Sequence, residues 1–417
     1  MAGVWLTRAR YLGPDGTFVE ADIEIEDGVI GRIEPAGSRP SDVDCTGLVV
    51  LPGLVNGHFH SQSTAVRGLE FGYEIFDWFG DSPAGRAQQR VGAWMDDPAN
   101  ADRVAAVIRY EYLTLLRQGV TMVADCGFGE HSPRLLADAG TAVGIRSLPQ
   151  AYDDWIEKVA DPAGCTVNIE SEEDLTAEAV ALAERYRDEY QPIFALHCLE
   201  TVRRRELVLE RWGASTIEVL RQHGLLGPRT VLFHGCEMDA ADVALVAEAG
   251  AAVVHCPVSN LALHGRIPPA VEWRRAGVTL GLGTDWGDTD MWGTMRAAWL
   301  LQQREPDRSR RASPADVLRM AGRGGALGYS RDDLGEIAPG RAADLVLLDA
   351  DRLGPVHRDP DTLAWSVLTD GCAALVRHVL VGGEWVLRDG TPTRVDAAAV
   401  TAEYRRIVAE LTGSTPA

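Results

Sequence analysis

The sequence predicts an α/β protein, a (β/α)8 barrel of the TIM type with β-rich segments at both ends of the chain. Three observations carry this reading. Short apolar runs alternate with amphipathic stretches through the middle of the 417 residues, and both ends read as short strands joined by tight turns. No Gly-rich phosphate-binding fingerprint follows the early strands, which lowers the alternative of an open doubly wound sheet. At ~150 residues per domain the length allows two to three domains, and one barrel of ~250 residues takes most of it.

Taken in order, Gly3 to Ala9, Thr17 to Ile25 and Val29 to Ile33 are strand candidates. The second alternates through Val19, Ala21, Ile23 and Ile25, and the turns Gly13-Pro14-Asp15-Gly16 and Glu26-Asp27-Gly28 separate the three as hairpins. The apolar run Leu48 to Val55 comes next. Val120 to Asp125, Ala142 to Leu148, Ile193 to His197, Thr230 to His234, Ala251 to His255 and Val278 to Asp285 are further strand candidates. Helix candidates fill the gaps at 101–118, 172–190, 203–223, 240–249 and 291–303. With the run before His58 this makes seven strands, so a barrel with one strand undetected is the most economical closure. Ala343 to Asp349, Val376 to Val381 and Trp385 to Leu387 return to the strand pattern, and the chain after Val395 reads as a closing helix with a fraying tail at Gly413 to Ala417.

Composition narrows the function classes. With 46% hydrophobic and 24% charged residues the chain has the make-up of a globular protein, and its longest apolar runs are strand-sized rather than membrane-spanning. Met1 to Arg10 shows no basic segment followed by an apolar one, so the default compartment is the cytoplasm. Forty basic against 61 acidic residues give a net charge of −21, which repels nucleic-acid phosphates and anionic membranes. Seven cysteines without a C-x-x-C read as reduced thiols, and Lys158 is the only lysine.

Chemistry concentrates at strand ends. In Gly57-His58-Phe59-His60 the two imidazoles fall on one face at strand periodicity, at the C-terminal end of a strand, where barrel active sites lie. An isolated H-x-H is weak evidence, but three more strand-like runs end in His197, His234 and Asp285. On one rim of a parallel barrel these five residues surround a single point, and imidazole with carboxylate suits a divalent transition metal, Zn2+ or Fe2+. Read singly, each could instead cap a strand or helix by hydrogen bonding.

The segments H-F-H-S-Q-S-T-A-V-R-G-L at 58–69, H-C-L-E-T at 197–201, G-L-L-G-P-R-T-V-L-F-H at 224–234, H-C-P-V-S-N-L-A-L at 255–263 and G-L-G-T-D at 281–285 resemble the amidohydrolase superfamily. The match is to its mononuclear branch of cytosine, guanine and S-adenosylhomocysteine deaminases and s-triazine hydrolases. Leu334 to Leu347 and Val379 to Gly383 look like the family's closing segments, so the resemblance covers nearly the whole chain. It implies a small β-sandwich built from residues 1–54 and 338–393, a hydrolase barrel over 55–337 and a C-terminal helix and tail over 394–417. Carried over by motif, His58, His60, His197 and Asp285 would hold one divalent metal ion, Zn2+ first and Fe2+ second. His234 would hydrogen-bond the attacking water, Glu200 would shuttle protons, and His255 would be structural, with Ser259 and Asn260 holding the loop. The implied reaction is hydrolysis of a C–N bond at an amidine-like carbon of a small nitrogen heterocycle, a deamination. Displacement of chloride or an alkylamine, or ring amide cleavage, is the alternative, and a metal-free scaffold is the further one. A homo-oligomer acting on a small-molecule heterocycle, with neither nucleic acid nor membrane as partner, is expected.

Two departures bear on the substrate. Many deaminases of this branch carry a His-Pro-Tyr type segment after the fourth strand, whereas Cys165 to Glu173 has no histidine; a substrate contact is missing there. After Asp285 the loop is shorter and reads Trp286-Gly287-Asp288-Thr289-Asp290-Met291-Trp292. Trp286 and Trp292 are candidates to stack on a flat ring, and Arg67 and Trp78 are further pocket candidates. Binuclear relatives use a carbamylated lysine, and Lys158 ends no convincing strand, so one metal is expected.

Overall fold

A computed structural model describes residues 3–412 except 70, 71, 74, 153, 154, 159–164 and 355–359. Eight parallel strands pair in chain order to form the barrel: β6 (Leu54–Phe59), β7 (Val120–Asp125), β8 (Arg146–Tyr152), β9 (Thr166–Ile169), β10 (Ile193–Cys198), β11 (Thr230–His234), β12 (Ala252–His255) and β13 (Thr279–Leu282). The ring closes where Phe59 bridges Asp285 and the Asp285 amide donates to the His58 carbonyl over 2.9 Å. Val55, Met122, Ala124, Ala195, Val231, Phe233 and Val254 fill its interior, with Tyr329 and Leu334 beneath.

The strand that the apolar pattern did not reveal is β9. Its Thr-Val-Asn-Ile sequence has only two apolar residues, because Thr166 and Asn168 are buried as a polar pair: Thr166 Oγ1 donates to Asn168 Oδ1 over 2.7 Å, and Asn168 Nδ2 donates to Gln150. The expected strand Ala142 to Leu148 lies instead at Arg146–Tyr152. Ala142 and Val143 are the last turn of the Ser132–Val143 helix, which Gly144 ends at φ 90°, a left-handed cap that glycine reaches without steric cost. The single helix expected over 203–223 is two, Val202–Trp212 and Thr216–Gln222, broken by the left-handed Gly213 and restarted by Ser215 as N-cap. Lys158 falls in the short 3-10 turn Trp155–Lys158 rather than in a strand.

Both chain ends join one nine-stranded sheet. β1 (Val4–Leu12), β2 (Phe18–Glu26), β3 (Val29–Pro35), β4 (Val43–Asp44) and β5 (Leu48–Pro52) come from the N-terminus; β14 (Leu345–Asp349), β15 (Val376–Val381), β16 (Glu384–Arg388) and β17 (Thr391–Pro392) come from the C-terminal part. They form a continuous hydrogen-bonded sheet rather than two separate ones, with β5 between β1 and β14. Period-two alternation explains its two cores: Leu48 and Val50 of β5 face Leu6, Ile23, Leu345 and Leu347, whereas Val49 and Leu51 face the main core with the barrel helices. Only Gly53 separates β5 from β6, so this sheet anchors the strand that carries His58. The Ala397–Thr412 helix packs on the Ala101–Arg117 helix, with Tyr404 stacked on Tyr110 at 3.7 Å; the expected frayed tail at 413–417 lies outside the described residues. None of the seven cysteines forms a disulfide among the described residues, and no described helix is long and apolar enough to cross a membrane.

Candidate metal centre and active site

The C-terminal ends of β6, β10, β11 and β13 deliver His58, His60, His197, His234 and Asp285 to one buried cluster. His60 Nε2 lies 3.3 Å from both His58 Nε2 and His197 Nε2, and Asp285 Oδ1 lies 3.0 Å from His58 Nε2 and 3.3 Å from His60 Nε2. His58, His197, His234 and Asp285 each offer a ligand atom within 4.8 Å of the others, and Cys126 completes an overlapping group with His58, His60 and His197. Buried ring nitrogens thus point at one another rather than at complementary partners, and three imidazoles with a carboxylate form the donor set of a four-coordinate zinc-type site. The residues fit a divalent metal ion.

Neighbouring groups fix the direction of these side chains. The His197 Nδ1–H donates to the Glu170 carbonyl over 2.6 Å and His234 Nδ1 donates to Asn260 Oδ1 over 2.8 Å, leaving each Nε2 lone pair facing the centre. Ser259 Oγ donates to Asp285 Oδ2, and His58 stacks on Phe233 at 3.9 Å. His234 and Asp285 both take left-handed backbone, φ 68° and 63°, a conformation costing non-glycine residues of order 1–3 kcal/mol that the surrounding packing enforces at the strand ends. Burial holds the His58 imidazole down at about 4 and His197 well below its usual range, so both are neutral at pH 7, the form that binds a metal.

Glu200 follows His197 by three residues and sits between two basic side chains, Arg204 and His264, that sequence reading missed. Its Oε1 is 2.6 Å from His264 Nε2 and 3.7 Å from His234 Nε2, while Arg204 Nη1 donates to Oε2. Burial, which alone would raise this carboxyl, is outweighed by His234, Arg204 and His264, so Glu200 is held ionised. The i,i+4 spacing of Glu200, just ahead of the N-cap Thr201, and Arg204, in the first turn of the Val202–Trp212 helix, was a readable signal; His264 lies at the end of the Pro257–His264 helix, and nothing local in the sequence marks it.

The remaining candidates divide. Trp78 and Trp286 line a small cavity of about 30 Å³ with His60, His197, Glu200, His234 and Asp285, and their rings meet edge to face at 4.9 Å. Trp292 does not reach it. It is the second residue of the Met291–Gln302 helix, wholly buried on that helix's core face with Met291 and Met295, and its Nε1–H donates to the Gln118 carbonyl over 2.9 Å. Arg67 is also outside the lining; it is half exposed and reaches Asp288 Oδ1 at 3.4 Å, tying two loops together. His255 is buried beside Trp273, with ring centroids 6.0 Å apart and neither nitrogen hydrogen-bonded among the described residues. Ser259 and Asn260 do more than hold the loop, since they orient Asp285 and His234.

Behind the site, burial pushes the Glu172 carboxyl from its ordinary 4.5 up to about 7, although it accepts from the Leu199 amide and Thr216 Oγ1. The folded state therefore binds more protons than the unfolded chain between these values, and this residue's contribution to stability falls as pH rises from about 4.5 to about 7, by up to ~1.4 kcal/mol per unit. Glu172→Gln is expected to flatten that part of the stability profile, as read by urea melts at pH 5 and pH 8; an unchanged slope contradicts the assignment.

A barrel whose C-terminal rim gathers histidines and an aspartate at one metal-competent centre defines the class of metal-dependent hydrolases. The chain belongs to the amidohydrolase family, whose model matches residues 49–386. It is 30% identical to the 5-methylthioadenosine/S-adenosylhomocysteine deaminase of Natronomonas pharaonis, over 99% of this chain and 98% of that protein. It is 29% identical to the 8-oxoguanine deaminase of Pseudomonas aeruginosa, over 95% of this chain and 96% of that one. The fold matches that of an adenosine deaminase from Xanthomonas campestris with bound zinc, with TM-score 0.88, 23% identity and 99% coverage of both chains. It also matches an atrazine chlorohydrolase of Arthrobacter aurescens complexed with zinc, with TM-score 0.84, 22% identity and coverage of 97% of this chain and 100% of that one.

Proposed function

We propose that the protein is a metal-dependent aminohydrolase that removes ammonia from an amidine-like carbon of a small nitrogen heterocycle. The observation that carries this is the convergence of His58, His60, His197 and Asp285 with Glu200 and His234 in one buried cluster, all but His58 lining one cavity. The deaminases among the relatives support it. His58, His60 and His197 through Nε2 and Asp285 through Oδ1 would hold one divalent ion, with Zn2+ preferred over Fe2+ on the donor set and on the zinc in the structural neighbours. Such an ion lowers the pKa of a bound water from about 15.7 to near 7 and so supplies a nucleophile at neutral pH.

The chain's own groups handle the protons. Asp285, whose Oδ2 accepts from Ser259, and His234, whose Nδ1 donates to Asn260, would hydrogen-bond the attacking water. Glu200, ionised in the resting site, would take one proton of the attacking water and give it to the ring nitrogen, and Asp285 would take the second, which leaves with the departing amine as ammonia. Trp78 and Trp286 close the cavity against bulk water.

One observation favours a second reading. Arg204 and His264 hold Glu200 strongly towards its ionised form, which suits a leaving group that departs unprotonated, such as chloride. A metal-free scaffold fits less well, because the ligand set is complete. A release assay on zinc-loaded protein with amino-purines, amino-pyrimidines, amino-pterins and amino- and chloro-triazines separates these readings. The expected result is ammonia from at least one compound with kcat/KM of ~10⁴ M⁻¹s⁻¹ or more. Chloride without ammonia would establish the second reading, and a protein that retains no transition metal after reconstitution would establish the scaffold.

A further inference from the structure

His58 differs from the other histidines of the cluster in what meets its outer nitrogen. His197 and His234 lean on oxygen acceptors, but His58 Nδ1 lies 3.7 Å from the sulfur of Cys126, the residue that follows β7. The thiol in turn donates to Gln150 Oε1 of β8 over 3.0 Å. The same oxygen accepts from Asn168 Nδ2 of β9, and Asn168 Oδ1 accepts from Thr166 Oγ1 over 2.7 Å. His58, Cys126, Gln150 and Thr166 are 0% exposed and Asn168 is 4% exposed, so bulk water substitutes for none of these links.

Each link sets the direction of the next. An amide has a donor end and an acceptor end, and the Thr166 hydroxyl, by donating to Asn168 Oδ1, leaves the Nδ2 end facing Gln150. Gln150 must then present its oxygen, because two facing N–H groups would repel. That oxygen takes the Cys126 proton, since 3.0 Å to Gln150 is much shorter than 3.7 Å to His58. His60 and Tyr152 also act on this sulfur; His60 is committed to Gln62 through Nδ1 and to the centre through Nε2, and a tyrosine hydroxyl adds a donor and leaves the S–H with Gln150. The sulfur therefore meets His58 as an acceptor. That pairing is satisfied when His58 carries its proton on Nδ1 and leaves the Nε2 lone pair facing the centre. We propose that Cys126 is a positioning residue for the metal centre: with Gln150, Asn168 and Thr166 it forms a buried relay that fixes the tautomer and ring direction of His58. The inference rests on His58 as a ligand through Nε2. It also gives the polar residues of β9 a purpose, since the relay begins with them.

Zinc affinity of the full-length protein, read by competition with a chelator, tests this with two substitutions that pull in opposite directions. Cys126→Val fills the space of the sulfur and removes both hydrogen bonds, whereas Cys126→Ser keeps a donor and an acceptor in a smaller group. A packing role alone favours valine. The relay predicts the reverse: zinc bound ~10–100-fold more weakly by Cys126→Val, the cost of losing a ligand's hydrogen-bond partner, and within ~5-fold of native by Cys126→Ser. Should the valine variant fail to fold, Cys126→Ala takes its place in the same comparison. If the variant without hydrogen-bonding capacity binds zinc as tightly as Cys126→Ser, the proposal is overturned. Cobalt loading adds a second readout. The native cobalt protein is expected to lack a sulfur-to-metal charge-transfer band; such a band would put Cys126 in the ligand set itself and overturn the relay. Native protein that takes up neither ion overturns the reading of the centre as a metal site, whereas tight zinc binding indifferent to Cys126 overturns the relay alone.

Discussion

Replacement of Glu200 by glutamine is expected to leave folding and metal content intact while lowering turnover by ~10²–10⁴-fold, the range supplied by general acid–base catalysis. The amide keeps the size of the carboxyl and its contacts with Arg204 and His264 can be partly retained, but it can neither take nor return a proton. The loss should fall on kcat more than on KM, since the group acts on the reacting atoms rather than on the body of the substrate. Metal analysis beside steady-state kinetics checks this. A variant with native metal content and near-native rates would remove Glu200 from the mechanism and point to a leaving group that needs no protonation.

A larger effect is expected from His60→Ala. His60 Nε2 is the meeting point of the cluster, 3.3 Å from His58 Nε2, His197 Nε2 and Asp285 Oδ1 alike. Its removal takes one of four donors from the centre and leaves a buried carboxylate with less positive charge beside it. Bound metal should fall from about one equivalent to near none, and activity should fall beyond the ~10–100-fold that loss of a ligand's hydrogen-bond partner costs. Zinc should also cease to raise the melting temperature, because an ion at 100 times its Kd adds ~2.7 kcal/mol to stability only where the site exists. A full equivalent of tightly held metal in this variant would show that another residue, with Cys126 nearest to hand, completes the ligand set.

The parts of this molecule that could be read from sequence are those where local pattern and final position coincide. Helices 101–117 and 240–249 and strands β7 and β11 lie where periodicity puts them, since each has a contiguous apolar face. Strand β9 was hidden because its inward residues are polar and satisfied by Gln150 from the neighbouring strand, a compensation visible only in three dimensions. His58, His60, His197, His234 and Asp285 were legible because all end strands, and a parallel barrel turns that shared position into proximity. Trp292 was misplaced by a single property of helices: two residues into a helix, the direction of a side chain depends on which face is buried, and here the core claims it. Glu170 and His264 escaped notice because their roles depend on neighbours from other segments of the chain.

The position of β5 has a consequence for biosynthesis. Val50 pairs with Leu347 of β14, so this strand, one glycine ahead of the strand that carries His58, gains its second neighbour only when nearly the whole chain exists. At ~5–20 residues per second, about 300 intervening residues separate the emergence of the two by roughly 15–60 s. Through that interval β5 offers an unpaired edge, the kind of surface on which nascent chains associate wrongly. Ribosome pausing before β14, or truncation there, should therefore favour aggregation over a shortened but working barrel.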